Sequence, residues 1–498
     1  MQMQFRKKQL DCLQQLKEEL QTQEQTQELR LTEDMPDIGS ILGAWGQVLV
    51  RGKEWNRDSM EVSCGVMAWV LYQPEDDSEP NMVEAWIPFQ FKWDLPSTDR
   101  DGRICVSCLL RGVDARVTSA RKLMLRATVS ALGEAWTAGQ REACIPDELP
   151  EDIHLLKRTY PVLLPQEAGE KAFALDEELT LPGSAPKMVK LLRFSLQPEL
   201  IDQKVLSGKV AFRGAALLHI LYKTDDGSLH SWDFELPFAQ YSELERDYEQ
   251  EATANVDIAV TSLDLDADPE GRLHLQAGLT GQYLIADRAD LELVEDAYST
   301  ACNVTVYKEE LSLPVILESQ LQTVHCEQTA TLESSRVADV AFYPDYPRLS
   351  RTGDSVSGEL NGQFQLLCYD TGGVLHGSAP KWHGSWSIPA DPDSKLRLMI
   401  TPSGMSQAAA GNETSLKADM LLHILTTTAR GIPMVTGIET GELQPLSTDR
   451  PSLILRKAGK DTLWEIAKAA GSTEDAIRRA NHLEDDPRED QMLLIPVL

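Results

Sequence analysis

The sequence predicts a mostly-β protein: three repeated β domains, preceded by an N-terminal amphipathic helix and followed by a small βααβ module. Three observations carry this. Short apolar runs bounded by turn residues recur from 29 to 446, where helix-period patterns are scarce. A set of landmarks repeats at a fixed separation. Beyond a proline-containing linker the pattern changes to strand–helix–helix–strand.

Residues 1–28 are polar, rich in Gln, Glu and Lys, and lack Gly and Pro. Leu10, Leu13, Leu16 and Leu20 recur at three- and four-residue spacing, which predicts one amphipathic helix with a narrow apolar stripe. Such a helix packs on its own domain or serves a partner or a second copy.

Leu29, Leu31, Pro36 and Leu42 recur as Leu179, Leu181, Pro186 and Leu192, a shift of 150 residues that also carries Tyr72 onto Tyr222. Each tyrosine ends an apolar run and precedes an acidic turn, Pro74-Glu75-Asp76-Asp77 or Asp225-Asp226-Gly227. Trp86-Ile87-Pro88-Phe89 and Glu235-Leu236-Pro237-Phe238 follow. A third, more divergent copy begins near Leu311-Ser312-Leu313-Pro314, with Leu366-Leu367-Cys368-Tyr369, a turn at Thr371-Gly372-Gly373, and Trp382 to Trp386. Asp226-Gly227 and Gly372-Gly373 are hairpin signals, because glycine accepts the positive φ that tight turns need. Seven residues before each tyrosine stands Gly65, Ala215 or Gly362, small enough for close backbone approach. Ala115 to Trp136 reads as strand, since alternation continues through Ala127, Val129 and Ala131. The expected boundaries are 1–28, 29–170, 171–310, 311–446 and 447–498.

The first copy resembles the SPOCS domain of spore coat morphogenesis proteins. Met35-Pro36-Asp37-Ile38, the Leu71-Tyr72 hairpin and Ala120-Arg121-Lys122-Leu123 carry the resemblance. The second copy resembles it about as well in its first half, and the third has drifted.

The linker is Gly441 to Ser452, with Pro445 and Pro451. After it, Leu453-Ile454-Leu455-Arg456 reads as a strand. Thr462 with Glu465 forms a capping box, satisfying two otherwise orphaned N–H groups. Leu463, Ile466, Ala467 and Ala470 make the buried stripe of the first helix, and Gly471 ends it. Ser472 and Asp475 start a second helix, Asn481 ends it, and Leu493-Leu494-Ile495-Pro496 closes as a strand. This segment resembles the LysM domain through Asp461-Thr462-Leu463-Trp464, Ile466-Ala467, Ile477, Asn481 and Leu494-Ile495-Pro496. The resemblance implies a shallow groove for N-acetylglucosamine-containing chains, with Gly459, Lys460, Asp461 and Thr462 opposite Asn481, His482, Leu483 and Glu484. Lys460 departs from the family's Gly-Asp-Thr, and Glu489-Asp490 stands where the family has Pro-Gly.

The net charge of −31 argues against binding a bare phosphate backbone or an anionic membrane. No stretch is long and apolar enough to span a bilayer, and the first twenty residues lack the apolar run of a signal peptide, so the chain is expected in the cytoplasm where it is made. Eight dispersed cysteines, including Cys105 and Cys108 on a strand, read as buried thiols. No zinc motif, nucleophile elbow, phosphate loop or calcium loop occurs, so neither an enzyme nor a cofactor or metal is expected. His219, His230, His274, His376 and His383 are dispersed and read as satisfied core or surface histidines.

SPOCS-like repeats followed by LysM resemble the layout of the SipL- and SpoVID-type family. That implies a coat-assembly scaffold of the mother cell at the forespore surface, with a SpoIVA-like coat morphogenetic ATPase as partner and peptidoglycan or its precursors as a further one. The alternative is a cell-wall protein binding peptidoglycan or other N-acetylglucosamine glycans. A third, a wall-anchored hydrolase, finds no catalytic constellation.

Overall fold

The computed structural model describes all residues except 1, 77, 147–148, 250, 269, 332–333, 393, 411–412, 429–430, 444–450 and 486. Asp77 of the first acidic turn and most of the expected linker therefore lie outside the described residues. The chain is mostly β, but the N-terminal helix expected at 1–28 is not there. After β1 (Gln2–Gln4), residues 6–30 form one long strand, β2 (Arg6–Arg30). The only helices among the described residues lie in the C-terminal module.

The leucine spacing misled for a specific reason. A β-bulge between Gln15 and Lys17 reverses which side chains face inward. The strand also crosses several cores: Leu10 is buried in one, Leu13 and Leu16 pack partly against two others, and Leu20 is exposed. Leucines three and four apart thus serve different surfaces of one strand. The glutamines have strand roles too. Gln21 Nε2 donates to Lys92 O (2.9 Å) and Gln23 Nε2 to Gln90 O (3.0 Å), satisfying carbonyls along a sheet edge.

Three units follow the same plan. The first has β2, β3 (Ile38–Trp55), β4 (Ser59–Pro74), β5 (Asn81–Asp94), β6 (Gly102–Ser119) and β7 (Lys122–Ile145). The second has β8 (Ile153–Thr180), β9 (Met188–Leu206), β10 (Lys209–Thr224), β11 (Leu229–Glu243), β12 (Thr253–Ala267) and β13 (Arg272–Ser299). The third has β14 (Cys302–Ser312), β15 (Val315–Thr331), β16 (Ser334–Pro344), β17 (Arg348–Thr352), β18 (Ser355–Asp370), β19 (Leu375–Ser378), β20 (Lys381–Pro389), β21 (Ser394–Ala410), β22 (Glu413–Thr428) and β23 (Gly431–Leu443). In the first two, one sheet joins the first strand to the last pair, β2-β7-β6 and β8-β13-β12; in the third the corresponding sheet is β15-β22-β21, while β14 and β23 pair apart from it with β1. The other is a meander: β3-β4-β5, β9-β10-β11, and β16, β17, β19 and β20 around β18. The hairpin turns carry Gly227 at φ 81° and Gly373 at φ 81°, the conformation for which glycine is suited.

In the first unit both sheets share one core. Trp45, Met60, Phe91 and Trp93 meet the alternating Leu123, Leu125, Ala127 and Val129 of β7, all essentially inaccessible. Gly65 opens space for a ring: a Cβ there would lie 2.1 Å from Trp86 Cζ2. The residues expected to carry the SPOCS resemblance in the first unit gather around Arg121. Its guanidinium donates to Asp37 Oδ1 (2.7 Å), Met35 O (3.2 Å) and Thr32 O (2.6 Å), while Tyr72 donates to Pro36 O (3.1 Å). In the second unit the turn holds Gly271, and the buried Tyr222 hydroxyl has no hydrogen-bond partner among the described residues.

The long strands pair as ribbons whose ends pack together. Phe5, Leu10, Cys144, Leu164, Leu293 and Val435 share one core drawn from all three units. β1 pairs with β23, which also pairs with β14, so the start of the chain is stitched to the end of the third unit. The meanders meet at a buried charge cluster. Arg193 of β9 donates to Asp339 of β16 at 2.6 and 3.0 Å, and its guanidinium lies 5.0 Å over the Trp45 ring of β3. His219 of β10 meets Asp339 Oδ1 at 2.7 Å and Asp233 Oδ1 at 2.5 Å. Burial disfavours charge on Asp339, but Arg193 and His219 outweigh it and hold the carboxyl down to about 2. His219 is likewise pulled down by burial but raised overall by Asp339 and Asp233.

Candidate functional site

The C-terminal module is β24 (Leu453–Lys457), α1 (Leu463–Ala470), α2 (Glu474–Asn481) and β25 (Met492–Pro496), with the strands paired antiparallel. The capping box forms as its sequence requires: Glu465 N donates to Thr462 Oγ1 (3.2 Å) and Thr462 N to Glu465 Oε2 (2.8 Å). Gly471 closes α1 at φ 63°. The second helix corrects the expected cap. Thr473, not Ser472, accepts from Ala476 N (3.1 Å), because Ser472 is buried beneath the module. Leu463, Ile466, Ala467, Ile477, Leu493 and Ile495 form the core.

The residues expected to form a groove lie on two loops, the one between β24 and α1 and the one at the end of α2. Gly459, Lys460, Asp461, Thr462, His482 and Glu484 are exposed, and Asn481 and Leu483 are half-buried. Several are committed to structure. Asp461 is ion-paired with Arg456. Thr462 caps α1. Asn481 locks α2 to β25: its Nδ2 donates to Leu494 O (2.6 Å) and Ile477 O (2.8 Å), and its Oδ1 accepts from Leu494 N (2.7 Å). Lys460, His482 and Glu484 project beside them. Asp490 takes φ 71°, a left-handed conformation, and its carboxylate pairs with Lys457 at 2.7 Å.

The module is fastened to the second unit, which no local sequence signal announced. Tyr298 of β13 donates to Ser472 O (2.8 Å), and its ring meets Trp464 edge-on, with centroids 4.7 Å apart. Trp464 Nε1 donates to Asp296 Oδ2 (3.0 Å), and Lys468 Nζ to the same oxygen (2.7 Å). Lys308 lies 3.3 Å from Asp296 Oδ1. Burial raises the Asp296 carboxyl, but bonds from Lys468 and Trp464 leave it below its ordinary value. Trp464, buried in the module's core, is thus also a pin between module and body. The groove loops remain outside this contact.

No helix is long and apolar enough to cross a membrane, and no cluster of three or more metal-type ligands occurs among the described residues. Comparison with protein families matches residues 187–268 to the SipL, SPOCS domain and residues 460–496 to the LysM domain. The first match runs from the start of β9 to the end of β12, within the second copy. No curated protein and no solved structure matches the chain. The chain is a SPOCS-domain and LysM-domain protein, consistent with the spore-coat morphogenesis family. The two matched domains are consistent with a protein-interaction or scaffold role.

Proposed function

We propose that the chain is a non-enzymatic scaffold in endospore coat assembly. It binds a SpoIVA-like coat ATPase at the forespore surface, on the mother-cell side, with the module's groove as the docking point. The observation that carries this is the LysM fold seated on the second unit by Trp464, Lys468 and Ser472 with its groove loops left open. A protein occupant is favoured over a glycan. Asp461 is tied to Arg456, and Asn481 to the β25 backbone, so two polar groups that a sugar would need are already spent.

A fluorescent fusion imaged in sporulating cells tests this. A shell around the forespore that disperses without the coat ATPase is expected. Diffuse signal in both genetic backgrounds sinks the proposal. Retention on purified peptidoglycan, with no binding to the ATPase, would favour the glycan reading.

A further inference from the structure

Where the three units meet there is a cavity of about 400 Å³, the size range of small-molecule sites. Its walls come mainly from edge strands of six sheets, β3, β6, β9, β12, β16 and β21, with residues of β10, β15 and β22 completing them. Such edges would ordinarily accept an added strand, but these are closed to one. Gln47 Oε1 accepts from Leu196 N (3.1 Å), and Gln203 Oε1 from Val256 N (2.7 Å). Gln282 takes both backbone groups of Val106 (2.9 and 2.8 Å). Pro198, Pro344 and Pro402 stand on the same edges, where they offer no N–H. The chamber therefore excludes an extended peptide and is left to a smaller occupant.

The lining is half apolar, with Val48, Leu110, Val260, Phe342 and Met399 among its walls, and Ile201 and Leu321, both mostly exposed, at its rim. Its ionisable groups are unbalanced. Arg193 is spent on Asp339. His423 is held neutral, down to about 4, by burial and by Arg397. Asp419 pairs with His325 (2.7 Å), and Asp202 lies near Lys204 and Arg213 (3.5 and 3.4 Å). Asp257 of β12 is half-buried in the cavity wall, and among the described residues no cation lies within ion-pair distance of it. A partly desolvated carboxylate with no cation in direct contact favours a cationic neighbour. Burial pushes Asp257 up, with Arg397 and Lys53 compensating only in part.

We propose that this central cavity is a binding site for a small organic cation, an ammonium group on an apolar body, with Asp257 as its counter-ion. The apolar walls take the body and the carboxylate takes the charge.

Phenethylammonium and its neutral counterpart 2-phenylethanol, titrated calorimetrically into the full chain to millimolar concentration, test it. Saturable binding of the ammonium, at least about tenfold tighter than the alcohol, is expected. Asp257→Asn should abolish that preference while leaving the free protein's melting temperature unchanged or higher, because it removes a partly desolvated charge that no ion pair holds. Asp202→Asn, at a carboxylate that already has basic neighbours, should leave the affinity unaltered. Equal binding of ammonium and alcohol, undiminished binding to the Asp257→Asn protein, or no heat from either compound overturns the proposal.

Discussion

The Tyr298 hydroxyl, at the end of the longest ribbon, donates a 2.8 Å hydrogen bond to the Ser472 carbonyl between the two helices of the LysM module. With the edge-on contact to Trp464, this bond makes the module part of the body and not a bead on a linker. Tyr298→Ala should cost about 2–4 kcal/mol of docking energy, from lost ring burial and an orphaned carbonyl. The expected readout is faster hydrogen exchange through 463–481 with unchanged exchange in β4 and β10. Tyr298→Phe should show a smaller effect of about 1 kcal/mol. Identical exchange in the Ala variant would show that the module is held by other means.

Asp296 adds a pH dependence to this junction. Its folded carboxyl lies below its ordinary value, so its contribution is complete above the usual carboxylate range of about 4 and is lost as pH falls through the lower folded value. Proteolysis at sites in the module should therefore accelerate at acid pH, and Asp296→Asn should bring that acceleration to neutral pH.

Asp339 lies between Arg193 and His219 with almost no exposure. Asp339→Ala leaves both partners buried without a counter-charge and should destabilise the junction of the second and third units by about 3–5 kcal/mol. The pH profile follows from the two shifts. Asp339's share is present above about 4 and lost as pH falls towards about 2. The share of His219, whose folded value is raised, is complete below about 6.5 and lost as pH rises through that higher value. Urea midpoints should peak between these limits, and His219→Gln should flatten the alkaline side and move the acid limb to higher pH, because His219 helps hold Asp339 down.

Arg121 holds the loop at 32–37 through three acceptors. Arg121→Met should cost about 1–3 kcal/mol, since carbonyls lose charge-assisted bonds. The change should appear as a lower urea midpoint, with the exchange increase centred on Ile38 and Leu31, whose amides bond to the 120–121 turn.

Within the groove, structural and recognition roles separate by variant. Asn481→Ala unties Leu494 and should lower module stability by about 1–3 kcal/mol. Lys460→Glu and Glu484→Lys change exposed charge without touching a cap and should leave stability within about 0.5 kcal/mol. If the groove docks a protein, the charge variants should weaken partner capture with the melting curve unchanged. Capture that follows stability alone would remove the groove from the interface.

The local elements of the LysM module were legible because each is set within a few residues. Thr462 and Glu465 fix one helix start, and Gly471 fixes its end. The hairpin glycines and the alternation of β7 were legible for the same reason. Ser472 was misread as a cap because burial against Tyr298, not local sequence, decides its role. The N-terminal strand failed more completely. Its leucine spacing fits a helix, and only a bulge and several separate cores explain that spacing in an extended chain.

By itself the sequence determined the mostly-β character, the turns and the βααβ module, since alternation, glycine conformation and capping act over a few residues. Tertiary structure alone decided that residues 6–30 are a strand, that Asp339 joins Arg193 to His219, and that Tyr298 and Asp296 seat the LysM. Those outcomes depend on partners more than a hundred residues away, whose burial and hydrogen bonding outweigh any local preference.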